Sequence, residues 1–168
     1  FINKIVDYFK PANILELGTS LGIGTAYLSG HKVVREVLSI DACMNSQKIA
    51  RENFDILKLN NVKLINENFD SVFDSEALSD RKFDFIYIDG NHRGSALLKY
   101  YEILLSKHSN AKLILLIDDI NWSFDMYSAW KKVLKNHSDS CSLNLFRLGI
   151  IFINYRELPP GYYKTSFI

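Results

Sequence analysis

Five carboxylates stand directly behind apolar runs in this chain. Glu16 follows Ile14-Leu15, and Asp41 follows Val37-Leu38-Ser39-Ile40. Asp89 follows Phe83 to Ile88, and the pair Asp118-Asp119 follows Leu113 to Ile117. In open α/β sheets, ligands bind outside the carboxyl ends of the strands. If the runs are neighbouring parallel strands, one rim carries all five acids. Acids gathered this way repel one another unless they hold hydroxyls, amines or a metal. Asp89, Asp118 and Asp119 would form an all-oxygen site, which suits magnesium, manganese or calcium rather than zinc or copper. His92 closes the segment Asp89-Gly90-Asn91-His92. An imidazole titrates near neutrality and can take the proton of a hydroxyl that is becoming a nucleophile. The plainer reading of His92 is a helix cap or a surface residue. His31, His108 and His137 read as surface residues.

The first acid opens the segment Glu16-Leu17-Gly18-Thr19-Ser20-Leu21-Gly22-Ile23-Gly24. Glycines there let the backbone turn sharply and approach a ligand closely. A nicotinamide site is marked by GxGxxG, with helix amides on a pyrophosphate. This loop reads GxxxGxG and carries Glu16 just ahead of it. A carboxylate disfavours a pyrophosphate and favours a cationic or zwitterionic ligand. The alternative is a turn that serves only helix–strand packing. Asp41 can accept from two vicinal hydroxyls, or it is a solvated loop acid.

The elements that must position these residues alternate between helical and extended patterns, as in a parallel sheet with helices on both faces. Helices are expected over 1–10, 22–30, 45–59, 70–78, 94–106 and 123–136. Pro11 ends the first, and Ser123 caps the last. In the helix over 45–59, Ile49, Phe54, Ile56 and Leu57 form the apolar stripe. Strands are expected over 12–17, 36–40, 62–66, 83–88 and 112–117. Two more, over 142–148 and 150–155, should pair as an antiparallel hairpin turning near Gly149. Pro159-Pro160-Gly161 interrupts regular structure. The expected fold class is α/β, a Rossmann-like, doubly wound, seven-stranded sheet, mostly parallel with a C-terminal antiparallel hairpin. Residues 1–157 form the domain and 158–168 a tail.

With its acid, glycine loop and second strand-end acid, the sequence resembles the Rossmann-like class I S-adenosylmethionine-dependent methyltransferases. The resemblance spans roughly residues 1–155. It implies S-adenosylmethionine as cofactor, held by Glu16, Gly18, Thr19, Ser20, Gly22 and Asp41, with Asp89 also beside it. Asn68 and Phe69, after the third strand, would meet the adenine. The acids after the fourth and fifth strands narrow the resemblance to the metal-dependent O-methyltransferases of the catechol, caffeoyl-CoA and macrocin types. That narrower resemblance implies a divalent cation, magnesium or manganese, on Asp89, Asp118 and Asp119, with His92 as the base. The chain departs from the pattern in three places. Ser20 stands for a glycine, Asp118-Asp119 for Asp-Asn, and Ser109-Asn110-Ala111 for a Gly-Gly turn.

Composition limits the alternatives. A chain of 168 residues with 48% hydrophobic content can bury one real core. A net charge of +1 and no basic patch interleaved with aromatics argue against a nucleic-acid partner. No apolar run reaches the roughly 18 residues of a membrane span, and no secretory signal is visible. Two separated cysteines, Cys43 and Cys141, fit reduced thiols in a cytoplasmic protein. The chain opens on Phe1, so its natural N-terminus is expected to be missing. Trp122 is a candidate wall for the acceptor pocket, and Tyr127 and Trp130 are expected in the core. The tail, with Tyr162, Tyr163 and Phe167, would cover the pocket, pack on a neighbouring subunit in a homodimer, or lie on its own sheet. The reading is an enzyme that O-methylates a small hydroxylated molecule with metal assistance. Its rivals are a metal-independent N- or carboxyl-methyltransferase, a nicotinamide oxidoreductase and a non-catalytic binding module.

Overall fold

The computed structural model describes residues 1–78, 80–106 and 111–165. His108, Phe167 and the Ser109-Asn110 part of the turn before the fifth strand lie outside them. The described residues form an α/β fold of eight strands, mostly parallel, with antiparallel strands toward the C-terminus. It divides into two compact units, Phe1–Asp84 and Phe85–Ile168.

The first unit holds β1 (Asn13–Leu17), β2 (Glu36–Ile40) and β3 (Val62–Ile65), parallel and in the order β3-β2-β1. Around them run α1 (Ile2–Phe9), α2 (Ile23–Ser29), α3 (Met44–Leu57) and α4 (Phe69–Asp74). Lys10 ends α1 in the left-handed conformation, just before Pro11. Asp84, expected in the fourth strand, lies outside it. Its carboxylate accepts from the Ala12 and Asn13 amides at 2.8 and 2.9 Å and so caps the entry to β1.

The apolar stripe of α3 differs from the expected one. Gln47, Ala50 and Phe54 are buried, at positions that recur on one helical face. Ile49, Ile56 and Leu57 are exposed. Gly22 explains part of this choice, because a Cβ on it would stand 2.6 Å from the Phe54 ring. The loop and α3 pack too closely there for any side chain.

The second unit holds β4 (Phe85–Ile88), β5 (Leu113–Ile117), β6 (Cys141–Leu145), β7 (Leu148–Ile153) and β8 (Gly161–Lys164), in the order β4-β5-β7-β6-β8. β4 and β5 are parallel, and every residue in both is buried. That burial requires the unbroken apolar runs seen in the sequence. β7 is antiparallel to both β5 and β6. The helices are α5 (Gly94–Ser106) and α6 (Phe124–Lys135). The Ser123 hydroxyl caps α6 by accepting from the Met126 amide at 3.1 Å.

Two expectations change in this unit. The hairpin turns at Phe146-Arg147, with Leu145 opposite Leu148, while Gly149 lies inside β7. Gly149 is needed for a different reason: a Cβ there would sit 2.8 Å from the buried Trp130 ring. The second change is an eighth strand. β8 begins directly after Pro159-Pro160 and pairs in parallel with β6, and the Tyr162 hydroxyl accepts from Asn144 Nδ2 at 2.8 Å. Of the three roles open to the tail, residues 161–164 take the third and lie on their own sheet. Tyr127 is 41% exposed, so only Trp130 of the expected pair is core.

Replacing Gly149 by Ala forces the Trp130 ring to move, and overpacking of this kind costs about 1–3 kcal/mol. Thermal denaturation of Gly149→Ala should show a lowered melting temperature. An unchanged value would mean that the ring relaxes without cost.

Candidate functional site

The candidate residues form two clusters, one in each unit. In the first unit the loop after β1 turns through three left-handed residues: Gly18 (φ 112°), Ser20 (φ 48°) and Gly22 (φ 82°). Asp41 fastens this loop to the end of β2. Its carboxylate accepts from the Ser20 amide and from the Cys43 amide, each at 2.8 Å. Each oxygen keeps lone-pair capacity for a further donor, and Asp41 is half-exposed. The backbone carbonyl of Asp41 is held by two side-chain amides, Gln47 at 3.2 Å and Asn66 at 3.0 Å. Gln47 also donates to the Ile65 carbonyl at 2.7 Å, which ties the ends of β2 and β3 together.

Glu16 does not face outward as expected. It is 1% exposed. One carboxylate oxygen accepts from the hydroxyls of Thr25 and Ser39, the latter at 2.5 Å. Thr19 is 2% exposed and shares a hydrogen bond of 2.6 Å with the same Ser39. Glu16 and Thr19 therefore join β1, β2 and α2 beneath the loop. A buried carboxylate is tolerated only when it is hydrogen-bonded, and hydroxyls spaced along two other elements serve that need. Asn68 is exposed and caps α4, accepting from the Ser71 amide at 2.8 Å, and Phe69 behind it is half-buried. A cavity of about 490 Å³ is lined by Leu21, Ile23, Tyr27, Asn53, Ile56 and Leu57 among others, and includes none of the expected cofactor residues but Gly22.

In the second unit Asp89 and Asp118 share one partner and Asp118 and Asp119 another, and sequence reasoning missed both partners. The Tyr87 hydroxyl lies 3.0 Å from Asp89 and 3.1 Å from Asp118. One hydroxyl proton serves two carboxylates. Burial, and then the charge of Asp118, push the Asp89 carboxyl up to about 6. Burial and both acids push the Tyr87 hydroxyl well above its ordinary value. The second partner is Arg147. Its Nε lies 2.9 Å from Asp118 Oδ1 and 2.9 Å from Asp119 Oδ1. The hydrogen bond to Asp118 leads the causes that raise the Arg147 pKa. Tyr87 could have been read from the alternation of a strand, since it shares a face with Asp89. Arg147 carried no such signal, because its place depends on where the hairpin turns.

His92 follows Asn91, which is left-handed (φ 52°) and donates from its side chain to the Tyr100 hydroxyl at 2.8 Å. The imidazole is half-buried, with Nε2 3.8 Å from Asp119 Oδ2 and its ring 6.2 Å from the Trp122 ring. Asp119 and Trp122, with Asn121, Phe146 and Arg147, line a cavity of about 230 Å³. Trp122 is 70% exposed. His31 and His137, expected at the surface, are both half-buried, and His137 Nε2 pairs with the Tyr101 hydroxyl at 2.9 Å.

The side chains present do not fit the implied divalent cation. Asp118 and Asp119 already share a guanidinium, and Asp89 and Asp118 share a hydroxyl. Among the described residues, no group of three or more His, Cys, Asp or Glu side chains is arranged to hold a metal ion.

A methyltransferase-domain family model matches residues 15–120. The chain belongs to the methyltransferase-domain family. Solved structures agree in fold. A candidate O-methyltransferase from Klebsiella pneumoniae has a TM-score of 0.75 at 17% identity, covering 92% of this chain and 78% of its own. An O-methyltransferase from Bacillus cereus, in complex with SAH, has a TM-score of 0.70 at 20% identity, covering 90% and 79%. The O-methyltransferase TomG from Streptomyces achromogenes, involved in tomaymycin synthesis and in complex with SAM, has a TM-score of 0.72 at 13% identity, covering 90% and 77%. No curated protein is significantly similar in sequence. Among the described residues of this methyltransferase-domain protein, no helix is long and apolar enough to cross a membrane.

Asp89 yields a pH prediction. Its folded pKa of about 6 stands above the ordinary 3.8, so the folded state holds the proton more tightly than the unfolded chain. Its favourable contribution is full below the ordinary value and is lost as pH rises through about 6. Asp89→Asn should therefore raise the melting temperature at pH 8 and change it little at pH 4. An equal effect at both would show that Asp89 titrates normally.

Proposed function

We propose that this protein transfers a methyl group from S-adenosylmethionine to a hydroxyl of a small molecule. The observation that carries the reading is the place of His92, beside Asp119 and Trp122, two walls of a cavity of about 230 Å³. The donor would be held in the first unit. There the loop of Gly18 and Ser20 supplies backbone, Asp41 has spare acceptor capacity for ribose hydroxyls, and Asn68 and Phe69 stand ready for the adenine. Glu16, Thr19 and Gly22 would support that loop from beneath rather than touch the donor. Support for the donor also comes from the family match and from neighbours whose structures contain SAM or SAH.

Once bound, the donor supplies a sulfonium methyl that is already electrophilic. The protein's tasks are then position and proton removal. Trp122 and Phe146 offer apolar walls to a flat acceptor such as a catechol, a role that suits aromatic side chains with one exposed face. His92 takes the hydroxyl proton, and the carboxylate of Asp119, 3.8 Å away, compensates the imidazolium that forms. Asp89 is a neighbour of this acid cluster rather than a contact of the donor. No step is assigned to a divalent ion.

A ligand that binds only the native state raises the melting temperature. S-Adenosylmethionine and S-adenosylhomocysteine should both do so, and NAD should not; a shift with NAD alone would favour an oxidoreductase. In a methyl-transfer assay across catechols, sugars and other hydroxylated molecules, His92→Ala should lower kcat by about 100-fold or more. Its affinity for the donor by calorimetry should stay near that of the parent. Unchanged turnover would remove His92 from the reaction.

A further inference from the structure

The acid cluster of the second unit carries its own cation. The side chains of Asp118 and Asp119 are only 8% and 13% exposed, so water alone does not compensate the two carboxylates. Arg147 Nε reaches one oxygen of each at 2.9 Å, and its terminal nitrogen approaches the second Asp118 oxygen at 3.5 Å. The contact is prepared by the backbone. Arg147 forms half of the tight β6–β7 turn, where Phe146 is left-handed (φ 67°) and bonded to Asn144 at 3.0 Å. The Arg147 carbonyl accepts from the Ile120 amide at 3.0 Å, which pins the turn to the loop that carries the two acids. Asn121 also donates to the Phe146 carbonyl. Three backbone or amide contacts thus hold an arginine whose side chain is otherwise 65% exposed.

We infer that Arg147 replaces the divalent cation of this acid site, neutralising Asp118 and Asp119 and keeping magnesium or manganese out. A guanidinium is planar and always charged, and it matches carboxylate geometry better than any other side chain. A metal ion would need the same oxygens, together with several more, at short range. The two cations exclude each other. The inference deepens the proposed methyl transfer and rests on it only for its consequence: an acceptor oxygen in the 230 Å³ cavity meets the N–H groups of Arg147 instead of a metal.

Manganese binding, followed by electron paramagnetic resonance on the full chain without donor or acceptor, tests the exclusion apart from any activity. The parent protein should leave manganese free. Arg147→Gln removes the charge and should bind one ion at least about tenfold more tightly. Stoichiometric binding by the parent, lost in Asp118→Asn, would overturn the inference, and this arm does not depend on any Arg147 variant folding. Equal binding by Arg147→Gln and the parent would also overturn it. If methyl transfer is then observed, it should withstand a chelator. A protein that excludes manganese yet shows no donor-induced stabilisation would keep the inference and remove the proposed function instead.

Discussion

Carboxylates placed at the ends of buried strands must be compensated where they stand, and the rest of this structure follows from how that is done. β1, β2, β4 and β5 are almost entirely buried, so the acids that close them sit at the edge of a dry interior. A charge in that position costs several kcal/mol unless it is paired or hydrogen-bonded. The chain uses a different partner at each strand end. Glu16 receives hydroxyls, Asp41 receives backbone amides, Asp89 shares the Tyr87 hydroxyl, and Asp118-Asp119 share a guanidinium. Those partners decide which acids remain free to meet a ligand. Asp41 keeps acceptor capacity and exposure, whereas Glu16 is absorbed into the scaffold.

Several backbone conformations that cost energy lie near the two clusters. Ser20, Asn91, Asp119 and Phe146 are left-handed without being glycine, as are Lys10 and Lys58 at helix ends and Asn154 after β7. Such residues persist only where the surroundings over-determine them. Three of them stand beside a residue of the two clusters. Ser20 gives its amide to Asp41, Asn91 presents His92, and Phe146 presents Arg147.

Much of the element order was legible in the sequence. Short apolar runs bounded by turn signals read as strands buried on both faces, and Asp41, Asp89 and Asp118 stand just past the ends of β2, β4 and β5. Antiparallel pairing of the last long strands was also readable, since a short connection leaves no room for a crossover. The position of the turn was not. Gly149 attracts a turn by propensity, but the closeness of Trp130 makes it a packing glycine, and the strained turn falls on Phe146-Arg147. The exposed Ile56 and Leu57 mislead in the same way, because helical spacing does not say which apolar face meets the sheet. The eighth strand was hidden behind Pro159-Pro160, although prolines exclude only the residues they occupy.

By itself the sequence determined the α/β class, the glycine loop after the first strand, and the gathering of Asp89, Asp118 and Asp119 with His92 nearby. Those are properties of local pattern and of strand ends, which period and residue type encode directly. Only the tertiary structure decided what compensates each acid. Ser39 stands far along the chain from Glu16, and Arg147 stands far from Asp118. Pairing over such separations depends on register and turn position, which no local pattern carries. An acid triad that reads as a metal site therefore becomes, once folded, an acid pair closed by arginine and a third acid sharing a tyrosine proton.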